Sequence, residues 1–308
     1  MQGSVTGKIP PQAGRLAVVT GGTSGLGFEI ALNLAQGCVD VILAGRDEAK
    51  GHEALGRLRP LAPQALVRFE VLDLARQDSI AAFAQRLEKR NRPVDLLINN
   101  AGVMALPRRE VTADGFEMQL ATNYLGHFAL TGLLLPLLRQ GRRSRVVQVS
   151  SLAHRYGSIH FDDLHGQRSY GSWAAYCQSK LAALVFALEL QRRSALYKWG
   201  LQSNAVHPGY SKTGLVGNAP GTRTLLTWLG RGLGEIVGQS VADGAQAALL
   251  AATSPDAQPG AYYGPRGFLE LAGQPAYAVV AKRARDKDLA KRLWEVSEQL
   301  TGVHWPVG

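Results

Sequence analysis

Residues 16–27 read LAVVTGGTSGLG, a short apolar run from Leu16 to Thr20 entering a turn with glycines at 21, 22, 25 and 27. A helical pattern from Leu26 to Leu34 follows. Strand, glycine-rich turn and helix together let backbone N–H groups approach a pyrophosphate, which rests on the positive end of the helix. Gly21, Thr23, Ser24, Gly25, Leu26 and Gly27 are therefore candidate cofactor contacts. The spacing departs from the common G-x-G-x-x-G, and Gly22 reads as a residue that relaxes the loop.

The same alternation continues along the chain. VDVILAG (39–45), ALVRFEVLD (65–73), VDLLINNAG (94–102), RVVQVSS (145–151) and LQSNAVHPG (201–209) are short apolar runs separated by helical patterns. After VDLLINNAG a longer helix is expected through TNYLGHFALTGLLLPLL. Short buried strands alternating with helices predict an α/β, Rossmann-type doubly wound parallel sheet of about seven strands, with helices on both faces. We read residues 1–308 as one such domain, with ligands at the carboxyl ends of the strands. Two segments break the rhythm, 152–173 and 210–238, and both are expected to wall a substrate pocket. Within the second, Leu225, Leu226, Trp228 and Leu229 recur at helical intervals and suit either an apolar lid or a face packed on the domain.

Composition narrows the classes. With 308 residues and 46% hydrophobic content, the chain can bury a large core. Its net charge of +10 is dispersed over RRSR (142–145), PRRE (107–110) and KRARDKDLAKR (282–292), which reads as solvated surface rather than a nucleic-acid site. No apolar run approaches ~18 residues, so neither a spanning helix nor a signal peptide is expected, and the reading is a soluble cytoplasmic protein. Cys38 and Cys177 lack metal-ligand spacing, and the seven histidines form no cluster, so no metal is expected.

The end of the second strand bears on the choice of cofactor. An acidic side chain there accepts from the adenosine ribose hydroxyls and repels a 2′-phosphate. Gly45 holds that position and Arg46 follows, offering a planar fork to a phosphate. Asp47 reads as the cap of the next helix. NADP(H) is therefore expected over NAD(H). Asp73, ahead of Leu74, suits either an adenine contact or a turn.

Tyr176 and Lys180, in YCQSK, are four residues apart, which on a helix places phenol and ammonium on one face. A cation ~4 Å from a phenol at an effective dielectric of ~20 favours the phenolate by ~4 kcal/mol, so a lowered tyrosine pKa is expected.

With TGxxxGxG, NNAG (Asn99 to Gly102), Ser151 after the fifth strand, Tyr176-x-x-x-Lys180 and Pro208-Gly209 after the sixth, the chain resembles the short-chain dehydrogenase/reductase family. VSSLAH, AYCQSK, AVHPG and YYGPRGF look like its retinol dehydrogenase and WW-domain oxidoreductase branch and bacterial relatives. The resemblance implies a catalytic tetrad of Asn123, Ser151, Tyr176 and Lys180. Asn123 would hold a water in a proton relay, Ser151 rather than Ser150 would orient the substrate, Tyr176 would be the acid/base, and Lys180 would also bind the nicotinamide ribose. Asn100, Ala101 and Gly102 would line the cofactor, with Pro208, Gly209, Ser211 and Thr213 near the nicotinamide and phosphates. The family often has Ala and then Asn or Ser where this chain has Gly22 and Thr23, and the Thr23 hydroxyl is the expected substitute.

The implied activity is NADP(H)-dependent interconversion of a hydrophobic alcohol with its aldehyde or ketone, by a homodimer or homotetramer. In the 152–173 insertion only Arg155 and Arg168 could meet a substrate carboxylate. His154 reads as a substrate contact or a packing residue, and His207 as a backbone support. A non-catalytic nucleotide-binding regulatory module would keep the glycine turn and lose the tetrad. A nucleotide-sugar epimerase would use the same Tyr/Lys pair with a larger C-terminal substrate domain.

Overall fold

The computed structural model describes residues 12–210 and 239–307. Its spine begins with β1 (Leu16–Thr20), α1 (Gly25–Gln36), β2 (Asp40–Gly45), α2 (Glu48–Leu58), β3 (Val67–Val71), α3 (Gln77–Lys89) and β4 (Leu96–Asn99). After β4 come α4 (Met118–Leu120), one π-helical turn (Ala121–Leu125), α5 (Gly126–Leu133), α6 (Leu135–Gln140) and β5 (Arg145–Val149). A 3₁₀ turn (Leu152–Tyr156) leads to the long α7 (Ser172–Leu196) and β6 (Gln202–Val206). The chain closes with α8 (Val241–Thr253), β7 (Tyr262–Pro265), β8 (Pro275–Tyr277) and α9 (Lys287–Thr301).

The strands form one sheet in the order β3-β2-β1-β4-β5-β6-β7-β8, parallel up to β7. Alternation along each strand sorts residues to opposite faces. Leu16 and Val18 join the core beneath α3, α5, α7 and α9, whereas Ala17 and Val19 join the core beneath α1, α2 and α8. Register carries the sorting across the sheet: Val18 pairs with Ile42 and Leu97, and all three belong to the first core. The chain reverses its direction of travel between β1 and β4, which opens the ligand crevice of this architecture at their carboxyl ends.

Two features differ from the sequence expectation. The sheet has an eighth strand, β8, antiparallel to β7. Three residues starting with a proline carry no readable period, and proline is tolerated there because the strand is an edge. The expected helix through TNYLGHFALTGLLLPLL is broken twice, by the π turn containing Asn123 and by Pro136, which restarts the chain as α6. Among the described residues, no helix is long and apolar enough to cross a membrane, and no group of three or more His, Cys, Asp or Glu could hold a metal.

Candidate active site

The glycine turn brings β1, α1 and β4 into contact. Gly21 and Gly25 have φ of +63° and +52°, a left-handed backbone that favours glycine. At Gly27 a Cβ would lie 2.2 Å from the Gly21 carbonyl oxygen and 2.5 Å from Asn100 Nδ2, so only glycine fits. Ser24 caps α1 in extended backbone without a side-chain cap bond, and the first turn carries no acidic residue. This open, positive helix end fits a pyrophosphate. The Thr23 side chain packs beside Gly45, linking the turn to the end of β2.

Thr20, which sequence reasoning did not single out, fastens this bed. Its Oγ1 accepts the N–H groups of Asn100 at 2.9 Å and Ala101 at 3.0 Å, while Asn100 Nδ2 donates to the Thr20 carbonyl at 2.9 Å. The Thr20 hydroxyl proton can go to Ile98 O at 3.3 Å or, more closely, to His127 Nε2 at 2.9 Å. Burial pushes the His127 pKa down to about 3, so the ring is neutral. His127 Nδ1 then donates to the Asn123 carbonyl at 3.2 Å.

At the end of β2, Arg46 is exposed and Asp47 caps α2, accepting the Lys50 N–H at 3.1 Å. Asp47 is thereby engaged in the fold. Asp73 makes a tight turn: its Oδ1 accepts the Ala75 N–H at 3.0 Å, and its own N–H donates to Ser79 Oγ at 3.0 Å. Leu74 is buried in the first core.

Asn123, Lys180 and Gly102 converge. A Cβ on Gly102 would lie 3.0 Å from Asn123 Oδ1 and 3.4 Å from Lys180 Nζ. The Asn123 amide accepts from Val103 N at 2.8 Å and donates to Val103 O and Ser179 Oγ, each at 2.9 Å. Its backbone carbonyl, in the π turn, is the one that meets His127 Nδ1. Lys180 Nζ donates to Val149 O at 3.2 Å, and desolvation lowers its pKa to about 8.

Tyr176 projects from the same helix, with Lys180 Nζ 5.8 Å from its ring centroid. The Ser151 hydroxyl faces the phenol and favours its ionised form. The lowered tyrosine pKa expected from the sequence is not found: burial outweighs Ser151, and the phenol is held above its ordinary value. The reason is that both partners are buried, so desolvation penalises each charge. The two neighbouring serines divide their work. Ser150 Oγ donates to the Lys180 carbonyl at 2.7 Å, locking β5 to α7, whereas Ser151 caps the 3₁₀ turn beside Tyr176.

His154 is fully buried, with Nδ1 2.7 Å from the Ser151 carbonyl and Nε2 accepting the Ala281 N–H at 3.3 Å. Both ring nitrogens are occupied, which makes it a packing residue. His207 Nδ1 accepts the Gly209 N–H at 3.2 Å, supporting the turn at Pro208, and Gln239 Nε2 donates to the Pro208 carbonyl at 2.5 Å. Ser211, Thr213 and the apolar 222–238 stretch lie outside the described residues.

One further residue escaped the sequence. Buried Gln119 accepts from Ala105 N at 2.7 Å and donates to Tyr170 Oη and Ser172 O, both at 3.0 Å, tying the loop after β4 to the start of α7. A lone glutamine carries no motif; only the fold reveals its three partners.

The sequence model described as short chain dehydrogenase matches residues 15–223. A polyprenol dehydrogenase of Mus musculus is 41% identical over 301 residues, covering 96% of this chain and 86% of that protein. Retinol dehydrogenase 13 of Homo sapiens is 40% identical, covering 97% and 89%. A crystal structure of an uncharacterized protein from Mycobacterium paratuberculosis superposes with a TM-score of 0.80 at 38% identity, covering 97% of each chain. A glycine turn shaped for a pyrophosphate, a tyrosine and lysine on the helix facing it, and similarity along nearly the whole chain lead to one family: this protein belongs to the short chain dehydrogenases, oxidoreductases that bind a nicotinamide cofactor.

Proposed function

We propose that the protein is an NADP(H)-dependent enzyme interconverting an apolar alcohol with its aldehyde or ketone. The observation that carries this reading is the Ser151 hydroxyl facing the Tyr176 phenol, with Lys180 beside it. When bound, the nicotinamide supplies or accepts the hydride. Gly21, Thr23, Ser24, Gly25, Leu26 and Gly27 hold its pyrophosphate side, with Asn100, Ala101 and Gly102 beneath it and Pro208 and Gly209 nearby. Arg46 is assigned to the 2′-phosphate, Asp73 and Leu74 to the adenine.

In the reductive direction, Ser151 and Tyr176 hydrogen-bond the substrate carbonyl oxygen, and Tyr176 gives it a proton. A phenol held above its ordinary pKa is protonated at neutral pH, the form this step requires. Lys180 stabilises the phenolate left behind, and Asn123 holds a water through which the proton is replaced. Oxidation runs the same steps in reverse and is favoured as pH rises.

The apolar substrate class is supported by Tyr156, Phe268 and Leu269, large exposed side chains on turns at the carboxyl end of the sheet, and by Trp173 in the first turn of α7. Trp173 packs against Tyr176 itself, with ring centroids 5.5 Å apart. The polyprenol and retinol of the relatives' names belong to the same chemical class. The test is NADPH oxidation against a panel of apolar aldehydes, ketones and quinones. At least one should be turned over, and Tyr176→Phe should retain less than about a tenth of that rate while still binding cofactor. Full activity in Tyr176→Phe removes the proton-donor assignment.

A further inference from the structure

A cavity of about 270 Å³ opens where the last turn of α3 meets the amino ends of β1, β2 and β3, at the opposite end of the sheet from the glycine turn. Sheet register explains its lining. Leu16 pairs with Asp40 and Ile42 with Arg68, and parallel partners point to the same face. That face is the one α3 covers, since Leu16, Ile42 and Leu87 of α3 belong to one core. All three line the cavity, so its floor is apolar. Its rim is cationic, formed by the exposed Arg68 and Arg90 and the half-buried Arg92.

The carboxylates beside the opening are engaged. Glu70 is shared between Arg86, at 3.1 Å, and Arg90, while Asp40 holds Arg92 at 2.7 Å and accepts the Leu66 N–H at 2.8 Å. Arg68, two residues before Glu70 on the edge strand β3, makes no hydrogen bond or ion pair with another described residue. An arginine in this position offers a carboxylate two parallel hydrogen bonds. An alkyl chain behind that carboxylate would leave water for the apolar floor.

We propose that this cavity binds a medium-chain amphiphile with an anionic head, the carboxylate on Arg68 and the chain on Leu16, Ile42 and Leu87. The site is distinct from the cleft. Strand β2 runs from Asp40, at the cavity, to Gly45, at the cofactor end, and at ~3.3 Å per residue roughly 17 Å separate them. Occupancy therefore neither needs nor displaces the nicotinamide cofactor, whatever the cleft reduces.

Titration calorimetry with octanoate and octanol, with and without saturating NADPH, tests the site. Octanoate should bind the wild type more tightly than octanol, and equally in both conditions. Arg68→Met keeps an apolar stem and removes the charge, so octanoate affinity should fall about tenfold while octanol affinity changes little. Leu66→Glu adds a carboxylate at an exposed lining position and should weaken octanoate at least as much. Both positions are exposed, and melting temperatures matching the wild type would show both variants folded. Octanoate that fails to bind the wild type, binds only with NADPH, or binds both variants as it binds the wild type overturns the proposal. So does capture of the protein by phosphatidylglycerol vesicles without binding of free octanoate, which would assign the cations to a membrane surface.

Discussion

Thr20 Oγ1, at the end of β1, accepts the backbone N–H of Asn100, the first residue after β4, at 2.9 Å. One hydroxyl thereby fixes the distance between the phosphate turn and the loop expected to lie under the nicotinamide. Thr20→Val preserves the branched shape but leaves the Ala101 N–H without its acceptor and the Asn100 N–H with the Ile98 carbonyl alone, at 3.0 Å. A loss of about 1–3 kcal/mol in stability is expected, visible as a lower melting temperature, with weaker NADPH binding in a fluorescence titration. Unchanged melting and cofactor affinity would mean that the Ala101 N–H finds another partner.

Arg46 tests cofactor choice alone. Arg46→Ala should lower the ratio of kcat/KM for NADPH to that for NADH by about tenfold, mainly through NADPH. Because Asp47 stays engaged as the α2 cap, the NADH value should change little. An unmoved ratio places the phosphate contact elsewhere.

Lys180 connects catalysis to alkaline stability. Its folded pKa, about 8, lies below the ordinary 10.5, so between those values the unfolded chain holds more protons than the folded one. The desolvation penalty is therefore fully present below pH 8 and is relieved as pH rises toward 10.5. Urea denaturation from pH 7.5 to 10 should show Lys180→Met gaining less stability than wild type across that window, with activity abolished at every pH.

His127 acts at the acid end, again through a depressed pKa. As pH falls below 6.5 the unfolded chain takes up a proton that the buried ring, with its pKa near 3, refuses. Stability is thus lost progressively from pH 6.5 downward, by about 2 kcal/mol at pH 5 from this group. His154, His165 and His207 are lowered as well and add in the same sense. In thermal melts, His127→Gln should flatten the acid limb between pH 7 and 5; an acid limb as steep as that of the wild type would assign the loss to the other histidines.

Much of the fold was legible because buried parallel strands write themselves as apolar runs: LAVVT, DVILAG and RVVQV each match an observed strand. β8 escaped because PAY is too short to alternate and is held in place by its partner alone. The π turn at Asn123 escaped because ATNYL has no breaker; the bonds that Asn123 makes there, to Val103 and Ser179, are 20 and 56 residues away in sequence. At the site, the glycines and Tyr176-x-x-x-Lys180 could be read because their spacing is local. Thr20 and Gln119 could not, since each has partners dozens of residues away. The direction of the Tyr176 pKa failed for a related reason: sequence spacing reveals a neighbouring charge but not the water withdrawn from both groups.

The order β2-β1-β4-β5 also sets how far apart two decisions are made. Arg46 follows β2 and Ser151 follows β5, so three interstrand steps of ~4.8 Å, roughly 14 Å, separate them. Changes that far apart and without shared partners combine additively in free energy. On the proposed reading the scaffold is therefore modular: cofactor preference and substrate choice are open to independent redesign.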